Sequence, residues 1–142
     1  MHGQKIVYVD GVFDLFHEGH IEFLKKASVF GYLIVGVHSD AFTRSYKRQP
    51  VIREETRYRV VDACRYVDKM IPGAGIVTNE LIDEYAIDLV IHGDDLSWND
   101  TFKYYKCALL RGVFRHIAYT EGVSTSSVIR DIEKRLTPGL SV

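Results

Sequence analysis

Gly11-Val12-Phe13-Asp14-Leu15-Phe16-His17-Glu18-Gly19-His20 decides how this chain is read. The apolar run Ile6-Val7-Tyr8-Val9 before it predicts a buried strand over residues 5–10. After it, apolar positions near 20/21, 23/24 and 27 share one helical face, predicting a helix to about Phe30 that Gly31 ends. Strand, tight turn and helix in that order hold a phosphate: backbone N–H groups and the positive end of the helix dipole meet the anion. His17 and His20, with Gly19 between them, sit in this turn. They add hydrogen-bond donors and, when protonated, positive charge to a phosphate whose charge is rising. Taken alone, the pair also fits two surface histidines near a helix start. A metal site is disfavoured, because the histidines are three apart and no third ligand is evident.

The bulk numbers bound the rest. A chain of 142 residues suits one domain with its own core. A composition 46% hydrophobic and 26% charged is that of a globular protein. A formal net charge of −1 gives no reason to expect nucleic acid as a partner. Two cysteines, Cys64 and Cys107, make no disulfide framework. Free thiols, with neither a signal peptide nor an apolar run of membrane length, lead us to expect the cytoplasm.

Strand-like and helix-like segments alternate along the chain. Tyr32–Val37 reads as a buried parallel strand, residues 40–52 as a basic loop with Pro50, and Arg53 to about Tyr66 as a helix with Val60, Val61, Cys64 and Val67 inward. Lys69–Ile71 is a short strand ended by Pro72-Gly73, and Asn79 caps a helix to Tyr85. Asp88–His92 is a strand, residues 101–111 a helix and Val113–Tyr119 the last strand. Ser124 or Thr125 caps a final helix to about Leu136, with Val128, Ile129, Ile132 and Leu136 on one face. This order predicts an α/β doubly wound parallel sheet over residues 1–136, with 137–142 a loose tail. Ligands of such sheets lie beyond the C-terminal strand ends. Segments 11–20, 38–48, 92–95 and 119–125 all fall there. Neither G-x-x-x-x-G-K-[ST] nor a G-x-G-x-x-G after strand one is present, which counts against kinases, GTPases and dinucleotide-dependent dehydrogenases.

Preceded by G-x-F-D, the H-x-G-H stretch resembles the signature of nucleotidyltransferases with a Rossmann-like fold. Thr120-Glu121-Gly122-Val123-Ser124-Thr125 is similar to a second signature, R-T-E-G-I-S-T, of the CTP-dependent cytidylyltransferases that make CDP-alcohols. The likeness runs from Ile6 to about Leu136. Arg65-Tyr66-Val67 and Arg111-Gly112-Val113-Phe114-Arg115 make it most like the ethanolamine-phosphate enzymes, which carry two such halves where this chain has one. The resemblance implies transfer of CMP from CTP to phosphoethanolamine, with phosphocholine or glycerol 3-phosphate as alternatives. It implies that His17 and His20 stabilise the α-phosphate and that Lys47 bridges the reacting phosphates. By the same likeness Val12 and Phe13 line the nucleotide, Gly93 and Asp94 read the cytosine, and Arg57 faces the second substrate's phosphate. Tyr119, Thr120, Val123, Ser124 and Thr125 meet nucleotide and triphosphate. Mg²⁺ would be held mainly by that triphosphate, and the partners would be CTP, a phosphorylated amino alcohol and a second copy or second half of the chain.

Two departures stand out. Tyr119 takes the place of the family's arginine and lacks its charge and fork of donors; Arg115 and Arg48 are the candidates to replace it. Ile76 stands where choline-type enzymes carry an aromatic residue, which tilts the reading from choline to ethanolamine, although Trp98 near Asp94-Asp95 keeps choline open. The Tyr119 departure also motivates a reading from another class, a nucleotide-binding half that does not catalyse. Adenylyl transfer is a rival within the fold.

Overall fold

A computed structural model describes residues 3–118 and 123–137. Five parallel strands lie in the order β3-β2-β1-β4-β5, where β1 is Ile6–Gly11, β2 Tyr32–His38, β3 Lys69–Ala74, β4 Leu89–Gly93 and β5 Phe114–Ile117. Strands buried on both faces carry apolar residues on both, and here alternate residues feed two cores. Val7, Val9, Leu33, Val35 and Val37 pack on one side with Phe23, Leu24 and Ala27 of helix α1 (Glu18–Ser28) and Val61 of α3 (Glu54–Asp62). Tyr8, Ile34 and Val90 pack on the other with Ile82 of α4 (Asn79–Glu84) and Tyr105 and Ala108 of α5 (Trp98–Leu110). Gly36 makes the second core possible: a Cβ there would stand 2.1 Å from the Tyr8 hydroxyl and 2.8 Å from Ala74 Cβ.

The chain winds from β1 outward through β2 to β3, then returns to lay β4 on the other side of β1. The order therefore switches between β1 and β4. These two strands pair at Val7↔Leu89 and Tyr8↔Val90. Such a switch leaves a crevice beyond the C-terminal strand ends.

The doubly wound parallel sheet is as expected, and several local readings change. Residues 40–52 contain a helix, α2 (Asp40–Arg44), started by Ser39, whose hydroxyl accepts from Phe42 N–H at 3.0 Å. The helix from Arg53 ends at Asp62, and Val60 is 40% exposed, whereas Val61 is buried and Cys64 and Val67, past the helix end, pack against the same core. Thr78 rather than Asn79 caps α4, its hydroxyl accepting from Leu81 N–H at 3.1 Å. β3 runs through Pro72 to Ala74, since an edge strand tolerates a residue with no N–H to give. α1 stops at Ser28, with Gly31 two residues beyond its cap Val29. The last strand is Phe114–Ile117, and Tyr119 lies outside the described residues.

No helix among the described residues is long and apolar enough to cross a membrane. Cys64 and Cys107 are free thiols, each half-buried against a core.

Candidate active site

The strand β1 ends in a strained turn. Phe13 and Leu15, either side of Asp14, have φ of 55° and 51°, a region non-glycine residues seldom occupy and one that costs of order 1–3 kcal/mol each. The turn delivers the chain to α1 at His17, the N-cap, with extended φ −136° and ψ 179°. Helix starts leave N–H groups without partners, and the usual remedy is a Ser/Thr-x-x-Glu box. Here two histidines build it. His17 Nδ1 accepts from Gly19 N–H at 3.1 Å, and His20 Nδ1 accepts from His17 N–H at 3.1 Å. Each backbone bond makes Nδ1 an acceptor, so the neutral ring carries its proton on Nε2. The rings stack at 3.8 Å, and His20 also lies on Phe16 at 5.3 Å. Gly19 is required by this packing: a Cβ would meet His17 Cε1 at 2.9 Å and Val123 Cγ1 at 3.0 Å.

Burial, then the neighbouring His17 and Lys47, pull the His20 pKa down to about 3. Burial lowers that of His17 as well, with Glu18 opposing. Both rings are therefore neutral near pH 7. They offer N–H groups rather than the charge the sequence left open. Among the described residues, His17 Nε2 is buried without a hydrogen-bond partner, a donor for which they supply no acceptor.

These rings line a cavity of about 530 Å³ at the switch point. Val12, Phe13, Lys47, Val123, Ser124 and Thr125 line it too, so these members of the expected set are brought together. Lys47 follows α2, and its amide donates to Thr43 O at 2.9 Å. Burial and Arg48 lower its pKa, while Asp95 and Asp14 pull it back. Helix α6 (Thr125–Leu136) points its start at the same space. Ser124 and Ser127 form a second capping box, each hydroxyl accepting the other's amide at 3.0 and 2.9 Å. The amides of Thr125 and Ser126, first in the helix, have no upstream helical carbonyl. Thr125 Oγ1 donates to Asp14 O at 3.0 Å, tying this start to the strained turn.

Other expected residues stand elsewhere. Arg57 is 1% exposed and does not line the cavity. Its guanidinium donates to Ile52 O, Val12 O and His38 O at 2.8, 2.7 and 2.9 Å and to Asp40 Oδ1 at 2.7 Å. It braces the ends of β1 and β2 against the loop before α3, which displaces the expectation that it faces a substrate phosphate. Gly93 and Asp94 do not line the cavity either; His92, Asp95 and Leu96 beside them do. Gly93 O accepts from Nδ1 of His92 at 2.9 Å and of His116 at 3.1 Å. Tyr119 and Thr120 lie outside the described residues. Of the two arginines named to replace the family's, Arg48 lines the cavity, while Arg115 stacks on Phe30 at 4.7 Å. Trp98 lines neither cavity.

The sequence reading passed over four residues that the fold draws together. Asp10, buried at the end of β1, accepts from the Tyr105 hydroxyl at 2.6 Å and lies 3.2 Å from His38 Nε2. His38 Nδ1 lies 2.6 Å from the Tyr46 hydroxyl. Burial raises the Asp10 pKa, but the bonds from His38 and Tyr105 prevail and hold the carboxyl below its ordinary range. This group borders a side cavity of about 160 Å³, walled also by Phe42, Ile76 and Tyr104. A lone carboxylate closing the apolar run Ile6–Val9 was the available signal. Asp14, also buried, accepts from Val51 N–H at 2.8 Å and Ile52 N–H at 2.9 Å, and so fastens the loop that follows Lys47.

A family model described as cytidylyltransferase-like matches residues 8–131. The chain belongs to the cytidylyltransferase-like family. It is 40% identical over 126 residues to a probable ethanolamine-phosphate cytidylyltransferase of Encephalitozoon cuniculi, covering 87% of this chain and 39% of that protein. It is 43% identical over 135 residues to choline-phosphate cytidylyltransferase A of Homo sapiens, covering 89% of this chain and 36% of that one. The chain thus spans under two fifths of these relatives' length. Among solved structures, the lipopolysaccharide core biosynthesis protein of Thermoplasma volcanium matches with a TM-score of 0.69 and 25% identity, over 85% of this chain and all of that one. A cytidylyltransferase-like sheet therefore carries the H-x-G-H turn, the lysine loop and the final helix start around one cavity.

Proposed function

We propose that this chain transfers CMP from CTP to phosphoethanolamine, giving CDP-ethanolamine and pyrophosphate. The observation that carries the reading is the pair of neutral imidazoles, fixed through Nδ1 by backbone amides, with Nε2–H left for a ligand at the cavity. An oxygen of the phosphoethanolamine phosphate bonds to the α-phosphorus. The bond from that phosphorus to the bridging oxygen breaks, and pyrophosphate leaves with the electron pair. Charge grows on the non-bridging α-oxygens, and the two Nε2–H groups donate to them. Lys47 bridges the reacting phosphates, and Thr125 and Ser126 amides meet the triphosphate. Positioning and charge stabilisation suffice, and no covalent intermediate on the protein is needed.

Mg²⁺ would ride on the triphosphate and neutralise the departing pyrophosphate. Both oxygens of Asp14 are taken by the loop amides, whereas Asp95 at the cavity, its side chain 61% exposed, is the carboxylate that would hold such an ion through its water shell.

The side cavity supports an amino alcohol. Asp10 is a buried carboxylate whose pKa is held low, and a primary ammonium there gains an anion together with hydroxyl acceptors from Tyr46 and Tyr105. Phosphocholine is the second reading, favoured by the rings of Tyr46, Tyr104 and Tyr105 on the same walls, which suit a quaternary ammonium. On this reading the domain works in the cytoplasm, as one of a two-fold pair or beside a second such half; sedimentation at micromolar concentration tests the pairing.

Pyrophosphate release with CTP and Mg²⁺, offering phosphoethanolamine, phosphocholine and glycerol 3-phosphate in turn, tests the reaction and its substrate. Release is expected with phosphoethanolamine. His17→Ala and His20→Ala each lower kcat by about 10²–10³-fold, the size of one lost oxyanion donor. Full activity in either variant removes the assignment. CTP binding without release with any alcohol supports a non-catalytic half.

A further inference from the structure

Asp10, His38 and Tyr46 line both the main cavity and the side cavity, so they form a wall the two spaces share. They are joined in series. Asp10 Oδ2 lies 3.2 Å from His38 Nε2, and His38 Nδ1 lies 2.6 Å from the Tyr46 hydroxyl. Both ring nitrogens are spent on these two bonds, so a change at one is felt at the other. Tyr46 directly precedes Lys47, whose Nζ stands 5.9 Å from the tyrosine ring centroid. Phe42 and Tyr104 hold that ring at 5.2 and 5.7 Å. Two hydrogen bonds therefore connect a carboxylate in the side cavity to the segment that carries the lysine of the main one.

We propose that His38 and Tyr46 are positioning residues that couple occupation of the side cavity by a phosphorylated amino alcohol to the placement of Lys47 on the nucleotide. This rests on the function proposed above. The bond to Asp10 is the long one of the two and the bond to Tyr46 the short one, so the first is the one that yields. An ammonium arriving at Asp10 competes for Oδ2, the 3.2 Å bond yields, and the ring moves with Tyr46 and the start of the lysine loop. By linkage the effect is reciprocal: the nucleotide tightens binding of the amino alcohol by the same factor.

The test uses a CTP analogue with a methylene between the α- and β-phosphorus, which cannot release pyrophosphate. Its Kd is measured by calorimetry with and without saturating phosphoethanolamine. The full chain is expected to bind the analogue at least about 5-fold more tightly when the alcohol is present. Tyr46→Phe keeps the ring and removes only the hydroxyl, and is expected to bring that factor close to 1. His38→Asn, measured in the same way, is expected to do likewise. A purely structural role would shift both affinities together and leave their ratio alone. A wild-type factor of 1 with both ligands bound, or an undiminished factor in Tyr46→Phe, overturns the coupling and leaves the substrate assignment standing. Failure of phosphoethanolamine to bind at all overturns both.

Discussion

His20 is an uncharged ring at neutral pH, and this decides how the protein responds to acid. Its folded pKa of about 3 lies below the ordinary value of 6.5, so the unfolded chain binds the extra proton first. The contribution to stability is complete above pH 6.5 and is lost progressively as pH falls toward 3. Urea midpoints are expected to drop between pH 7.5 and 5. His20→Asn, which keeps an acceptor for the His17 amide, is expected to flatten that slope, and a parallel slope in the variant would contradict it. Tyr8 gives a second prediction at this scale. Its hydroxyl is buried with no partner among the described residues and sits 2.1 Å from where a Gly36 Cβ would stand. Removing an unsatisfied buried group spares its desolvation, so Tyr8→Phe is expected to leave the melting temperature unchanged or raise it. Gly36→Ala is expected to cost about 1–3 kcal/mol by overpacking, and Tyr8→Phe in the same chain to recover part of that. Additivity of the two changes in thermal unfolding would refute the contact.

Loops here are placed by side chains from other elements. Asp14 receives both amides of Val51 and Ile52, and Asp14→Asn replaces one acceptor by a donor that faces an N–H. The expected loss is about 2 kcal/mol in chemical unfolding, with a fall in kcat because the lysine loop is no longer fastened; a change in neither would contradict the clamp. The same scale shows what could be read from sequence. The H-x-G-H turn and the strand–helix alternation were legible because local pattern fixes them. Helix α2 was not, since five residues inside a basic stretch show no period and Ser39 alone starts it. Arg57 was expected at a substrate phosphate by likeness to the family, and a likeness in sequence carries no record of burial; folded, its donors go to three carbonyls and Asp40. That Asp10, His38, Tyr46 and Tyr105 join in one wall was not legible for a further reason. Asp10 and Tyr105 are 95 positions apart, and only the switch in strand order brings them together.

At the scale of the molecule, the cavity draws on the ends of β1, β2 and β4 and the start of α6, so a ligand there holds distant parts of the chain in place. CTP at 100 times its Kd is expected to stabilise the fold by about 2.7 kcal/mol. Scanning calorimetry would read this as a rise in melting temperature that grows with the logarithm of nucleotide concentration, and ATP at equal concentration should give less. Pro72 bears on a different property. An exposed sheet margin is a template on which another molecule's backbone can zip, the first step of amyloid-like growth. β3 is such a margin, and at Pro72 it has no hydrogen to lend an incoming strand. The break falls mid-strand, so the protein should stay dispersed at high concentration, and replacing that one ring with an alanine should make solutions turn cloudy sooner on standing.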